Sequence, residues 1–296
     1  MADIETSAVA GTGEPTFEQT SRFVDTPRGR LHYNEVGNGQ PVILLHGSGP
    51  GATSWTNFLP NIGPLSKMFR VIALDVPGWG LSAPNDPTVT PMVPSGTLAV
   101  LALMDALKID KAALVGNSMG GMIALHFAET QNDRLTHLVT MGSGLITIPS
   151  IFSPAGLSEG MKVLVQAYRD PSPESFRNLI KVMVFDSSLA TDALFEARSK
   201  AALANPGHLT NFLKMFAHPG GVPVTGEAVA ALSKIKTPAL FIHGRDDRVL
   251  SIEHSLRLLS IVPNSRLHVF NRCGHWAQIE HANEFNVLVA NFLASN

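Results

Sequence analysis

Short apolar runs, each followed by Gly, Asp, Asn or Cys, recur along the chain with helix-like segments between them. Leu31 to Val36 and Pro41 to His46 read as two strands around the turn Gly37-Asn38-Gly39. FRVIALD (69–75), KAALVG (111–116) and LTHLVTMG (135–142) follow, and PALFIHG (238–244) and RLHVF (266–270) come late. These runs are of strand length and mostly apolar on both faces, as in buried parallel strands with loops at their carboxyl ends. Helices are predicted at Gly96 to Leu107, Met119 to Glu129, Ile252 to Ser260 and Glu284 to Leu293. The alternation predicts an α/β fold: a mostly parallel, doubly wound sheet with helices on both faces.

The alternation stops between residues 144 and 224. That stretch carries IPSIFSP, the helix-like GMKVLVQAY and FRNLIKVMVF, and the Pro/Gly-rich AHPGGVPVTG, but no clear buried strand. It is too long for a plain loop and is read as a helical lid inserted over the carboxyl ends of the strands. The core then comprises residues 21–143 and 225–296. Residues 1–20, rich in Gly, Ala, Thr and Glu, are expected to form a disordered leader.

Composition narrows the function classes. With 45% hydrophobic and 16% charged residues and a formal net charge of -2, the chain is globular and has no basic field for nucleic acid. The single cysteine, Cys273, rules out an internal disulfide framework, and the N-terminus has neither a cationic start nor an apolar signal core. The most apolar window, TLAVLALMDALKIDKAALVG, is broken by Asp105, Lys108, Asp110 and Lys111, so no membrane span is expected and the protein is read as cytoplasmic.

Candidate chemistry sits where a strand meets a helix. Gly116-Asn117-Ser118-Met119-Gly120-Gly121 places a serine among glycines at the carboxyl end of a predicted strand, where small neighbours allow a tight elbow that exposes the hydroxyl. A serine at such a point also reads as a helix cap. As a nucleophile it needs a base, and the base needs an orienting acid, in the chain order Ser, acid, His. His275 lies in the Gly-His turn after the last strand, and Asp246 and Asp247 follow PALFIHG. The acid of this architecture falls at the fourth position of Gly244-Arg245-Asp246-Asp247, which selects Asp247 and leaves Asp246 to face solvent or pair with Arg245 or Arg248. Backbone N–H groups of Met119 and Ser48, the latter in His46-Gly47-Ser48-Gly49, would form an oxyanion hole. No Gly-Lys-Ser/Thr or GxGxxG pattern supports a nucleotide site.

With these residues in place, the chain from about Arg22 onward resembles the α/β-hydrolase superfamily. HGSGPGATSWTNF, VGNSMGG, ARSKAAL, GRDDRV and LHVFNRCGHWAQIEHANEFN, in that order, resemble the meta-cleavage product hydrolases. Those enzymes split a carbon–carbon bond in 2-hydroxy-6-oxo-hexa-2,4-dienoates formed by ring opening of catechols. The resemblance implies a Ser118, Asp247, His275 triad, an oxyanion hole at Ser48 and Met119, and no metal or organic cofactor. It further implies that Gly49, Asn57, Asn117, Ser188, Arg198 and Trp276 contact substrate, the guanidinium and amides holding the carboxylate and 2-oxo group and the indole covering the conjugated chain. A homo-oligomer is implied in the same way. The lid segment FAHPGGVPVTG leaves the 6-substituent open. A carboxylesterase or lactonase acting on a bulky hydrophobic ester or macrolactone would use the same triad, and a non-catalytic hydrolase-like receptor is a third, more distant reading.

Overall fold

The computed structural model describes residues 14–144, 151–152, 156–217 and 226–295. Eight strands form one sheet: β1 (Ser21–Thr26), β2 (Gly29–Val36), β3 (Pro41–Leu45), β4 (Arg70–Leu74), β5 (Ala112–Asn117), β6 (Leu135–Met141), β7 (Ala239–Gly244) and β8 (Ser265–Phe270). Their order across the sheet is β1-β2-β4-β3-β5-β6-β7-β8. β1 and β2 are antiparallel to each other, β2 is antiparallel to β4, and β3 to β8 run parallel.

The continuous apolar runs have a direct cause, since successive residues of a strand enter opposite faces. Ile43, Leu45, Ile72, Leu74 and Leu114 belong to one core, while Val42, Leu44, Val71, Ala73 and Val115 belong to the other. Each is 1% exposed or less, and burying a side chain of the Leu, Ile or Val class contributes about 1.5–3 kcal/mol.

One expectation about the first strands is corrected. The turn at Gly37-Asn38-Gly39 does not close a hairpin, because β4 lies between β2 and β3. The hairpin partner of β2 is β1, a half-exposed edge strand whose polar-rich SRFVDT has no apolar run to reveal it. RLHVF becomes β8, the opposite edge, and only Phe270 of that strand is buried.

The helices are α1 (Phe17–Thr20), α2 (Ser54–Asn57), α3 (Leu59–Ser66), α4 (Met92–Ala106), α5 (Met119–Thr130), α6 (Glu159–Arg169), α7 (Pro173–Met183), α8 (Asp192–Leu203), α9 (Pro206–Ala217), α10 (Gly226–Leu232), α11 (Glu253–Ile261), α12 (Ala277–Glu280) and α13 (Ala282–Ala294). α4 starts four residues before its predicted first residue, because Pro94 sits in the first turn, where the missing N–H has no helical partner anyway. The expected leader is corrected at its end: Thr16 and Gln19 form a capping box for α1, and the Phe17 ring packs against His32 and Trp55. Residues 1–13 lie outside the described residues. Among the described residues, no helix is long and apolar enough to cross a membrane.

Within residues 144–224 the described residues form α6 to α9. Ser158, Ser172 and Thr191 cap α6, α7 and α8 through their hydroxyls, and α6 and α7 each bury one face. IPSIFSP and AHPGGVPVTG fall largely outside the described residues. The chain leaves β3 toward β4 and later returns to β5 on the other side of β3, so the loops after β3 and β5 diverge and open a crevice at the carboxyl ends. The candidate residues gather there.

Candidate active site

Ser118 ends β5 and precedes α5 with φ 53° and ψ -115°, a left-handed backbone that costs a non-glycine residue about 1–3 kcal/mol. The fold holds it there from three sides. Its N–H donates to the Met141 carbonyl at 2.9 Å, and its own carbonyl accepts from the Met122 N–H at 3.0 Å and the Ser143 hydroxyl at 2.8 Å. The glycines of the motif are demanded by contact: a β-carbon on Gly116 would lie 2.2 Å from the Gly120 carbonyl oxygen, and one on Gly120 would lie 2.1 Å from that of Leu45. The helix packs so tightly on the sheet that only hydrogen fits.

His275 reaches the same place from the loop after β8. Its Nδ1 is 2.7 Å from Oδ2 of Asp247, whose side chain is fully buried at the end of β7. The Asp247 Oδ1 accepts the N–H groups of Val249 at 2.7 Å and Leu250 at 3.0 Å. Burial alone would raise the Asp247 pKa, but the facing imidazoles of His275 and His243 outweigh it and hold the carboxyl well below the usual carboxylate range. The acid is therefore ionised, and its bond to Nδ1 leaves Nε2 of His275 to act on a hydroxyl. Asp246 instead pairs with Arg245 at 3.3 Å and accepts the Cys273 N–H. Arg248 is turned to Glu159 and the Lys181 carbonyl.

Ser118 and His275 line one cavity. Gly47, Ser48, Gly49, Asn57 and Asn117 share its wall, as do Arg198 of α8 and Trp276 at the start of α12. Met119 is not among the residues that line it. Its side chain is buried, and its N–H precedes the first helical hydrogen bond of α5, from Met122 to Ser118.

One candidate lies away from the cavity, and two that line it also bond to the protein. Ser188 is exposed in the short turn Ser187–Leu189, where its N–H is capped by Asp186, and it does not line the cavity. The Nδ2 of Asn117 donates to the carbonyls of Met141 and His275, so its amide donors serve the protein and its buried Oδ1 has no partner. The Oδ1 of Asn57 accepts the Gly47 N–H at 3.4 Å and so steadies the glycine loop.

Arg198 is the electrostatic anomaly of the site. The residue is half-buried, and the loss of water around its guanidinium lowers its pKa to about 10; among the described residues it forms no ion pair or hydrogen bond. A desolvated cation without a counter-ion is costly unless an anion completes it.

Sequence reasoning did not single out the rest of the cavity wall. Leu164 of α6, Phe176, Leu179, Ile180 and Met183 of α7, and Val249 after β7 are apolar. Their only signal was helical periodicity, which equally describes an ordinary core. His243, which lies 3.4 Å from Asp247 and fully buried, was also missed.

The family described as the alpha/beta hydrolase fold matches residues 40–282. The chain is 44% identical over 292 residues to a 2-hydroxy-6-oxononadienedioate/2-hydroxy-6-oxononatrienedioate hydrolase of Escherichia coli O81 (strain ED1a), covering 94% of this chain and 97% of that one. Among solved structures, the meta-cleavage product hydrolase CumD from Pseudomonas fluorescens IP01 superposes with a TM-score of 0.80 at 35% identity, over 92% of this chain and 97% of that one. The 2-hydroxy-6-oxo-6-phenylhexa-2,4-dienoate hydrolase of Rhodococcus sp. strain RHA1 also gives 0.80, at 27% identity, over 93% of this chain and all of that one (100%).

Proposed function

The chain belongs to the α/β-hydrolase family, and from that premise we propose that it is a serine-dependent hydrolase that cleaves a carbon–carbon bond in 2-hydroxy-6-oxo-hexa-2,4-dienoate-type products of aromatic ring opening. The observation that carries the reading is Arg198: a half-buried guanidinium with no ion pair among the described residues, in the same cavity as Ser118 and His275. A neutral ester would leave that charge uncompensated. A dienoate carboxylate completes it with a planar, two-point ion pair.

In this reading the carboxylate end lies toward the loop after β3. Ala201 and Ala202, about one turn along α8 from Arg198, pack against Gly51 of that loop. The 6-acyl end extends toward Leu164, Leu179, Ile180 and Val249, a wall suited to an alkyl or aryl 6-substituent. His275 first transfers a proton to carbon, converting the dienol to its keto tautomer so that the fragment can leave. Deprotonated by His275, Ser118 then attacks the 6-carbonyl, and the N–H groups of Ser48 and Met119 receive the oxyanion. The C5–C6 bond breaks, releasing a 2-hydroxypenta-2,4-dienoate. Water hydrolyses the acyl-serine to a carboxylic acid.

The test is a pair of assays on Arg198→Ala. Loss of the ion pair should lower kcat/KM for a 6-phenyl or 6-alkyl dienoate by about a hundredfold or more, a change of about 2.7 kcal/mol. Turnover of a p-nitrophenyl ester should stay near that of the parent. Equal losses on both substrates, or ester and lactone turnover far exceeding dienoate turnover in the parent enzyme, would show that a carboxylate is not what Arg198 receives.

A further inference from the structure

Three consecutive carbonyl oxygens of the loop after β3 are each engaged by a side chain from outside the cavity. The Gly47 oxygen is 2.8 Å from Nδ1 of His46, which carries the ring proton because Nε2 accepts the Val76 N–H at 3.0 Å. The Gly49 oxygen accepts the Trp79 indole N–H at 3.3 Å. Between them, the Ser48 oxygen accepts the hydroxyl of Tyr168 at 2.5 Å. Tyr168 belongs to α6 and lies 120 residues along the chain from Ser48.

Peptide geometry gives these bonds a consequence. In a trans peptide the C=O and N–H point in opposite directions. Gly47, Ser48 and Gly49 line the cavity, whereas His46, Trp79 and Tyr168 are not among the described residues that do. Carbonyls drawn outward toward His46 and Tyr168 turn the N–H groups of Ser48 and Gly49 inward, toward Ser118. His46 orients the Ser48 N–H, and Tyr168 locks the next peptide, so Ser48 cannot rotate about its own backbone.

We propose that Tyr168 is a positioning residue of the oxyanion hole, through which the inserted helices set the direction of the Ser48 and Gly49 amides. The inference rests on the reading of Ser118 as the nucleophile. Tyr168 is built to hold this position. It is 2% exposed, stacks on Phe212 of α9 with ring centroids 3.7 Å apart, and has Nε2 of His208 at 3.2 Å from its hydroxyl. A phenol has one proton to give, and a carbonyl can only accept, so that proton goes to Ser48. Burial also keeps the phenol protonated, raising its pKa well above the ordinary value. α6 and α9 thus reach the reaction centre without touching substrate at this point.

Tyr168→Phe removes the hydroxyl and keeps the ring. Because loss of an oxyanion donor itself costs about 10²–10³-fold in kcat, loss of its positioning should lower kcat about tenfold or more, with KM and melting temperature near those of the parent. Affinity for a boronic acid that forms a tetrahedral adduct with Ser118 should fall in step with kcat, while affinity for the dienoate product stays constant. Tyr168→Leu separates packing from the hydroxyl: the phenylalanine variant should carry most of its kcat loss. A phenylalanine variant within twofold of the parent in kcat, or one whose loss lies in KM alone, overturns the inference. Both dienoate and p-nitrophenyl ester are assayed, since every acyl transfer at Ser118 needs the oxyanion hole. An ester-only enzyme that loses rate in Tyr168→Phe would refute the dienoate reading and retain this one.

Discussion

Gly142 lies against the imidazole of His275, so that a β-carbon added at Gly142 would sit 2.8 Å from Nδ1 and 2.9 Å from Cε1. The glycine follows β6, and its N–H is fixed to the Ile242 carbonyl at 3.1 Å. With φ at 51° it also needs the left-handed region. The seat of the proposed base is therefore defined by the absence of a side chain on the strand next to the acid's.

Gly142→Ala should damage activity more than stability. The left-handed backbone costs about 1–2 kcal/mol for alanine. The methyl group pushes the imidazole off its bond to Asp247, and a displacement of about 1 Å in a reacting group lowers rate about a hundredfold. Steady-state kinetics beside a urea titration measures both. Full activity with an unchanged midpoint would mean that His275 does not need its present seat.

The two adjacent aspartates separate by partner. Asp247→Asn removes the charge that orients His275 and should lower kcat by about 10³–10⁴-fold, by analogy with serine triads in general. Asp246→Asn disturbs an exposed pair with Arg245 and should leave kcat within about twofold, since such surface pairs contribute at most about 1 kcal/mol. Comparing the two variants on one substrate settles the assignment, and comparable losses would contradict it.

Stability should fall in mild acid through His208. Burial, reinforced by the nearby His46 and partly offset by the Gly78 carbonyl, lowers its pKa to about 4. The unfolded chain takes up that proton near the ordinary value of about 6.5, so protons favour unfolding between the two values. The contribution is whole above about pH 6.5 and is lost as pH falls toward 4, at up to about 1.4 kcal/mol per pH unit. His208→Gln should shrink the stability difference between pH 7 and pH 5 by about 1–2 kcal/mol. Urea midpoints at the two pH values supply the measurement, and an undiminished difference would place the acid sensitivity elsewhere.

The elbow was legible because its causes are local. Gly116 and Gly120 stand where helix and strand backbones nearly touch, and that demand leaves a mark within six residues. The polar edge strand β1 and the half-exposed β8 gave weaker marks, because an edge needs no continuous apolar run. Some partners of the candidate residues left no mark in the sequence. The Asn117 amide is committed to the His275 carbonyl, and Ser188 faces solvent at a turn.

By itself, then, the order of residues determined the alternation of strands and helices, the serine elbow after one strand, and the loops that carry Asp247 and His275. Each depends on short-range periodicity or on a steric demand for glycine. Only the tertiary structure decided that β4 enters between β2 and β3, that His243 stands against Asp247, and that Tyr168 reaches the Ser48 carbonyl across 120 residues. Those are pairings between distant segments, selected by how complete surfaces bury against one another, and no local pattern encodes them.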